Sequence, residues 1–155
     1  MKAKMIVMAL AVLFAAATVG FAKTSQHMGT WKLNEAKSKF VPGAAKNNTV
    51  VYEAAGDDIK VTVDGTDADG NATHNEWTGK FNGKYFAVTG DATSDERSYR
   101  VVNAHTLVFT GRKGGKVTLT GRIVVSANGK IRTVTTSGTN EKGKRFRNVA
   151  VYDKE

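Results

Sequence analysis

Apolar and polar residues alternate in short runs along the chain from residue 49 onward, and these runs are rich in Val, Thr, Ile and Tyr. In one of them, Ile59, Val61 and Val63 are separated by polar residues. A period of two residues is typical of a β-strand with one buried and one solvated face. The pattern predicts strands at residues 49–54, 58–63, 71–78, 84–89, 98–102, 106–112, 116–125, 130–137 and 144–153.

Turn-forming dipeptides separate these runs. They include Asp69-Gly70, Asn82-Gly83, Gly114-Gly115 and Asn128-Gly129. Such pairs reach the positive φ values that two-residue hairpin turns require, so consecutive strands are predicted to pair as antiparallel hairpins. No segment after residue 23 has a helical period, apart from a turn at residues 34–39 that Asn34 could cap.

A meander of about nine strands must protect its two edges, and closing the sheet into an up-and-down barrel does so. A two-sheet sandwich is the alternative, but it usually needs long crossing connections, and nearly every connection here is short. We therefore predict an all-β fold, an antiparallel up-and-down meander closed into a barrel of about eight to ten strands. A barrel of this size has room for one small ligand.

The N-terminal region has the pattern of an export signal. Lys2 and Lys4 precede an apolar run at residues 5–19, and small residues at 20 and 22 come before Lys23. The run has about 15 residues, whereas a spanning helix needs roughly 20. The pattern predicts a cleavable signal peptide at residues 1–22, a mature chain of residues 23–155 and a periplasmic or secreted location. An uncleaved membrane anchor is the alternative.

Composition and charge narrow the function classes. The chain has no Cys, so disulfides and a lipid anchor on Cys are excluded and the mature domain depends on its core. The formal net charge is +9, and its placement is uneven. Residues 23–111 hold 10 Lys/Arg against 11 Asp/Glu, and residues 112–155 hold 11 against 3. The basic last third could meet an anionic ligand, a lipid headgroup or an acidic partner, or could simply be a solvated face.

No catalytic or metal-binding motif is evident. His27, His74 and His105 lack metal-ligand spacing, although His74 and Glu76 share one strand face two residues apart. No phosphate-binding or nucleophile motif occurs, so we expect a protein that is not an enzyme, with no cofactor and no metal site. The basic strands lack interleaved aromatic residues for base stacking, so nucleic acid is not an expected partner.

Two short motifs resemble a known family. Residues 29–33, Gly-Thr-Trp-Lys-Leu, and residues 151–154, Val-Tyr-Asp-Lys, together with the train of hairpins, resemble the calycin pattern. The chain looks most like the intracellular fatty-acid-binding proteins and like exported bacterial proteins described as lipocalin-like. The resemblance covers nearly all of residues 23–155 and implies a lipocalin-like barrel. It also implies that Trp31 closes one end of the barrel, with Arg145 or Arg147 covering it.

The resemblance further implies two ligand-binding residues. Residues 115–122 resemble in spacing the late strand that carries a carboxylate-binding Arg in fatty-acid-binding proteins, which brings Arg122 onto that position. Tyr152 matches the Tyr of the family's final Arg-x-Tyr motif, but Ala150 stands in place of its Arg. The residues alone leave open whether Arg122 points into the barrel or to solvent, and whether Tyr152 is only a core aromatic.

Two functions remain open at this stage. The first is an exported binding protein that holds a small apolar or amphiphilic ligand, including an anionic one, in the barrel cavity. The alternative is an envelope protein-interaction module with a filled barrel that acts through its basic last third. An enclosed pocket of roughly 300 Å³ or more favours the first function, and a packed interior favours the second. In either case we expect a monomer without a transmembrane anchor.

Overall fold

The computed structural model describes residues 24–140 and 142–155, so the predicted signal peptide at residues 1–22 lies outside the described residues. Ten strands follow one another along the described chain. They are β1 Gly29–Leu33, β2 Lys46–Ala55, β3 Asp58–Thr66, β4 Ala72–Gly79, β5 Asn82–Thr89, β6 Glu96–Asn103, β7 Thr106–Lys113, β8 Lys116–Val125, β9 Ile131–Thr139 and β10 Arg145–Lys154. Short 3-10 helices span Ser25–His27 and Glu35–Lys37. No helix in the described part of the chain is long and apolar enough to cross a membrane.

The strands form a closed antiparallel barrel in which each strand pairs with its sequence neighbours and β1 pairs with β10. Closure is made by short pairings such as Trp31 opposite Lys154 and Leu33 opposite Tyr152. This confirms the predicted up-and-down barrel and rules out the sandwich. The first strand was not among the predicted runs because it has only five residues. Its partners are the next strand, β2, and the last strand, β10.

The segment after β1 also behaves as the sequence indicates. The Asn34 side chain accepts a hydrogen bond from the backbone N–H of Lys37 at 3.2 Å, which caps the short helix Glu35–Lys37. The chain then runs beside β10, where Lys39 and Val149 exchange two backbone hydrogen bonds of 2.7 and 2.8 Å. This segment therefore covers the edge of β10 that the short strand β1 leaves free.

The two ends of the barrel differ. We call the end that holds the turns after β2, β4, β6 and β8, together with residues 24–28, the closed end. The end that holds the turns after β3, β5, β7 and β9 is the open end. One buried cluster fills the closed half and the middle of the barrel. It consists of Trp31, Val50, Tyr52, Ile59, Val61, Val63, Trp77, Val88, Tyr99, Leu107, Ile123, Val125, Ala150 and Tyr152.

Glycines on the inner face allow aromatic rings to lie across the sheet. A Cβ at Gly121 would lie 2.3 Å from the ring of Phe109, and a Cβ at Gly138 would lie 2.9 Å from the ring of Phe146. Real Cβ atoms do not approach other carbon atoms so closely, so each ring occupies space that any larger residue would take. The rings of Phe109 and Phe146 extend the apolar lining of the barrel from the buried core towards the open end.

Candidate ligand-binding site

A groove of about 470 Å³ lies at the open end of the barrel, at the ends of β8, β9 and β10. Three kinds of side chain line it. They are the apolar residues Val117, Leu119 and Phe146, the hydroxyl residues Thr118, Thr120, Ser137 and Thr139, and the cation Arg145, with Gly138 between them. A wall that is partly apolar and partly hydroxyl-bearing, with one cation at its edge, suits an amphiphilic molecule.

Strand pairing explains the position of the groove. Leu119 lies opposite Gly138, and Gly138 lies opposite Phe146, so these three residues form one row across β8, β9 and β10. The pairing of β8 with β9 reaches no further than this row. Because the strands separate there, and because Gly138 has no side chain, the row presents a concave surface instead of a filled one.

The inner face changes character between the two ends. Ile123 and Val125 on β8 are buried. Leu119 lies on the same face of the strand, four residues nearer the open end than Ile123, and is only half-buried. Phe109 and Phe146 are likewise half-buried although they lie on the inner face. Inward-facing apolar side chains that remain in contact with solvent form a surface on which an apolar ligand would gain by displacing water.

The closed end holds a buried cation. Arg132 on β9 is only 4% exposed, and its Nη2 donates a hydrogen bond of 2.7 Å to the hydroxyl of Tyr52. Its Cζ lies 4.6 Å from the centre of the Tyr52 ring, 5.5 Å from that of Tyr152 and 5.9 Å from that of Trp31. No carboxylate among the described residues forms an ion pair with it. Aromatic faces and one phenol oxygen therefore surround this guanidinium.

Burial changes the acidity of the groups around Arg132. It raises the pKa of Tyr152 to about 12, although the charge of Arg132 acts in the opposite direction. Burial likewise raises the pKa of Tyr52. Both phenols therefore stay protonated at neutral pH, and neither supplies a negative charge to balance Arg132.

His27 is a titratable group buried at the closed end. It is 1% exposed, and neither ring nitrogen has a hydrogen-bond partner among the described residues. Its backbone carbonyl accepts a hydrogen bond of 2.9 Å from Trp31 Nε1. Burial, followed by the charges of Arg132 and its neighbours, lowers the pKa of His27 from 6.5 to about 4. The imidazole is therefore neutral at pH 7 and adds no positive charge to those of Arg132 and Lys154.

A second buried arginine fastens the loop between β5 and β6. Nη2 of Arg97 donates a hydrogen bond of 2.6 Å to Oδ2 of Asp91, and the Ser94 hydroxyl donates to the same oxygen. Burial raises the pKa of Asp91, but the hydrogen bonds from Ser94 and Thr93 and the charge of Arg97 outweigh it, so the pKa lies below its ordinary value. The ionised carboxylate holds this loop against the β5–β6 side of the open end.

The structure separates the residues that the sequence singled out. Trp31 is fully buried at the closed end, but the covering role assigned to Arg145 or Arg147 is wrong, because both arginines begin β10 at the opposite end. Arg132 and Lys154 lie over the Trp31 ring instead, with Lys154 Nζ at 5.1 Å from its centre.

The two predicted ligand-binding residues lie on opposite sides of the sheet. Tyr152 is buried on the inner face, beside Arg132. Arg122 is exposed on the outer face of β8, because the inner positions of that strand are taken by Ile123 and Val125. The structure therefore does not bring Arg122 and Tyr152 together. His74, which shares a strand face with Glu76, is exposed. Its Nδ1 lies 2.6 Å from Oδ1 of Asp64, and its Nε2 lies 3.3 Å from Oε1 of Glu76.

Sequence reasoning did not single out Arg97 and Arg132, the two arginines of the interior. The sequence did contain a pattern that places Arg132 inside the barrel. Arg132 lies two residues before Val134, so the two residues share one face of the strand. The neighbouring Ile131 obscured that signal, since an isoleucine beside an arginine suggests the opposite assignment of faces. Asp91, the partner of Arg97, lies in a loop that carries no strand pattern.

Fold and site together define a ten-stranded up-and-down β-barrel with one sealed end and one grooved end. No protein-family model matches the chain, and no curated protein matches it. Among solved structures, it is similar to EF1p2_mFAP2b bound to DFHBI, with a TM-score of 0.49 and 11% identity over 88% of this chain and 99% of that one. It is also similar to a redesigned β-barrel, mFAP1, bound to DFHBI, with a TM-score of 0.45 and 14% identity over 86% of this chain and 98% of that one.

Proposed function

We propose that this protein binds a small amphiphilic molecule in the groove at the open end of the barrel. The observation that carries the proposal is the groove itself. Its volume is about 470 Å³ and it is open to solvent, so a ligand would lie against the groove and not inside an enclosed cavity. Half-buried Leu119 and Phe146 on its floor are available to an apolar group.

The chemistry of the lining indicates an anionic amphiphile. An alkyl or aryl group that covers the apolar part of the lining would gain about 25 cal/mol for each Å² of apolar surface buried. Arg145 is exposed at the edge of the groove, where its guanidinium can pair with a carboxylate or sulfonate. Because this pair would be solvated, we expect it to add only about 1 kcal/mol.

A titration with a fluorescent fatty acid tests the proposal. Replacing Leu119 with Asp places a carboxylate on the apolar floor and should abolish binding of both the fatty acid and the corresponding neutral alcohol. The R145Q variant should weaken fatty-acid binding about fivefold, the equivalent of about 1 kcal/mol, and leave the alcohol unchanged.

The matched control is R100Q, which removes the same charge from an exposed position on β6, a strand that contributes no residue to the groove. The R122Q variant tests the position that the family resemblance indicated, and we expect it to bind as the wild type does. Equal affinity of the wild type and Leu119→Asp would overturn the proposal. No binding by any form would favour the alternative, an interaction module that acts through the basic last third.

We also propose that the protein is exported and that the chain is cut after Ala22. Lys2, Lys4 and the apolar run at residues 5–19 support this proposal. Intact-mass analysis of protein recovered from the host should find a chain that begins at Lys23. Recovery of the full-length chain from the membrane fraction would contradict it.

A further inference from the structure

Buried polar atoms without a hydrogen-bond partner are concentrated at the closed end. Seven such side-chain atoms occur among the described residues, and five of them belong to three residues of this end. They are both ring nitrogens of His27, Nδ1 of His105, and Nε and Nη1 of Arg132. His105 lies in the turn between β6 and β7, and Arg132 is the second residue of β9. Since buried polar groups are almost always hydrogen-bonded, this cluster indicates a site for a further acceptor.

The groups that meet at this site are basic. After burial, the charges of Arg132, His105 and Lys154, in that order, lower the pKa of His27, so the four side chains share one electrostatic environment. Arg132 Cζ lies 5.9 Å and Lys154 Nζ lies 5.1 Å from the centre of the Trp31 ring. The acceptor that fits such a site therefore carries a negative charge.

The acidic residues at the end of the chain do not supply that charge. Asp153 pairs with Lys37 at 3.7 Å, and Glu155 pairs with Lys32 at 3.9 Å. Their side chains are about half-exposed, at 49% and 56%. Both carboxylates therefore lie in solvent with partners of their own, whereas Arg132 is buried.

The other buried guanidinium of the barrel shows how this chain balances such a charge. Arg97 donates a hydrogen bond of 2.6 Å from Nη2 to Oδ2 of Asp91, and both of these side chains are largely buried. Arg132 is buried to a similar degree and donates only to the neutral hydroxyl of Tyr52. An unpaired buried charge is costly. An anion beside Arg132 would play the part that the Asp91 carboxylate plays for Arg97.

We propose that the closed end binds one monatomic anion of the chloride type beside Arg132 and His27. Nε and Nη1 of Arg132 donate hydrogen bonds to the ion, and the neutral imidazole of His27 donates one more from its single N–H. The buried cluster fills this half of the barrel, which leaves room for an ion about as large as a water molecule and not for a carboxylate or phosphate. A water molecule would accept the same hydrogen bonds but would leave the charge of Arg132 unbalanced.

The bound ion would seal the closed end. His27 belongs to the short helix Ser25–His27, and Arg132 belongs to β9, so an ion held by both joins the segment before β1 to the barrel wall. The backbone of His27 is already tied to Trp31 by the hydrogen bond of 2.9 Å. Because a ligand that binds only the folded state stabilises it, chloride should raise the stability of the barrel.

Thermal unfolding at pH 7 and constant ionic strength tests the site, with sodium chloride replacing sodium gluconate step by step. The Tm should rise with chloride and reach saturation, and bromide should have the same effect. Gluconate is too large for the site, and constant ionic strength keeps the screening of surface charges equal. Broadening of the ³⁵Cl resonance that bromide reverses should report the binding directly.

The decisive variant is Arg132→Met, which removes the charge and keeps an apolar side chain in the core. We expect it to lose at least about tenfold in chloride affinity, the worth of hydrogen bonds to a charged group. His27→Leu removes one neutral donor and should lose about fivefold. The matched control is R145Q, which removes one charge from the groove at the open end and should bind chloride within about twofold of the wild type.

A Tm that follows ionic strength and not the identity of the anion would overturn the proposal, and so would unchanged chloride affinity in Arg132→Met. Binding that is lost in R145Q and kept in Arg132→Met would move the ion to the groove and also overturn it. Should Arg132→Met not fold, crystals of the wild type soaked in bromide decide the matter. An anomalous peak within hydrogen-bond reach of Arg132 supports the site, and no peak there overturns it. The groove lies at the other end, so the fatty-acid titration succeeds or fails independently.

Discussion

His27 should make the stability of this barrel depend on pH in a defined window. Its folded-state pKa is about 4, and its unfolded-state pKa is the ordinary 6.5. Between pH 4 and pH 6.5, His27 binds a proton in the unfolded chain but not in the folded chain. The contribution of His27 to the free energy of unfolding is therefore fully present above pH 6.5 and is lost as the pH falls towards 4. Burial of the ring and the charge of Arg132 oppose protonation in the fold.

The size of this effect follows from the two pKa values. Linkage gives a loss of about 2 to 3 kcal/mol from His27 alone between pH 7.5 and pH 4.5. Solvent screening does not reduce it much, because the side chain is 1% exposed. A loss of this size is a large fraction of the 5 to 15 kcal/mol that holds a typical domain folded.

Urea unfolding at the two pH values measures the loss, with the His27→Leu variant as the comparison. Leu cannot titrate, so the variant should lose about 2 to 3 kcal/mol less than the wild type between pH 7.5 and pH 4.5. His74→Gln serves as the control. The neighbouring carboxylates of Asp64 and Glu76 raise the pKa of His74, so its contribution is present at low pH and is lost as the pH rises.

Parallel losses in the wild type and His27→Leu would refute this reasoning. They would mean that the imidazole is reached by solvent or rearranges on protonation. A larger loss in His74→Gln than in the wild type is the sign expected for the exposed cluster on β3 and β4, because this variant lacks a group whose protonation stabilises the fold.

Two further predictions concern the interior. Tyr52→Phe removes the hydroxyl that accepts the hydrogen bond of Arg132, and urea unfolding should show a loss of about 1 to 3 kcal/mol. Tyr152→Phe should cost less than about 0.5 kcal/mol, and a larger loss than for Tyr52→Phe would contradict the assignment. Gly121→Ala should cost about 1 to 3 kcal/mol, because the added Cβ would lie 2.3 Å from the Phe109 ring. Unchanged stability of that variant would show that the ring is free to move.

The hairpins and their order could be read from the sequence because the forces that specify them are local. An Asn-Gly or Asp-Gly turn joins two runs that are neighbours in the chain, and the alternation within each run reports which residues share a face. The barrel followed from the number of strands and the shortness of the connections. The cap at Asn34 was accessible for the same reason, since it acts on a residue three positions away.

Which face of a strand looks inward was not accessible in the same way. A shift of one residue reverses every side chain of a strand, and the face of β8 that carries Arg122 and Val124 could be assigned to the inside almost as well as the face that carries Ile123 and Val125. Packing decided the matter, because Ile123 and Val125 join the core that Trp31 and Tyr52 complete. Arg122 was thereby placed on the outside.

The sequence by itself therefore determined nine of the ten strands, their hairpin pairing and the unequal distribution of charge. Tertiary structure alone decided the groove and the polar interior, because both depend on contacts between distant parts of the chain. Arg132 meets Tyr52 across 80 residues, and the groove needs β8 and β10 on either side of Gly138. Contacts of this kind leave no periodic trace in the sequence, since they are set by how the closed sheet brings its strands together.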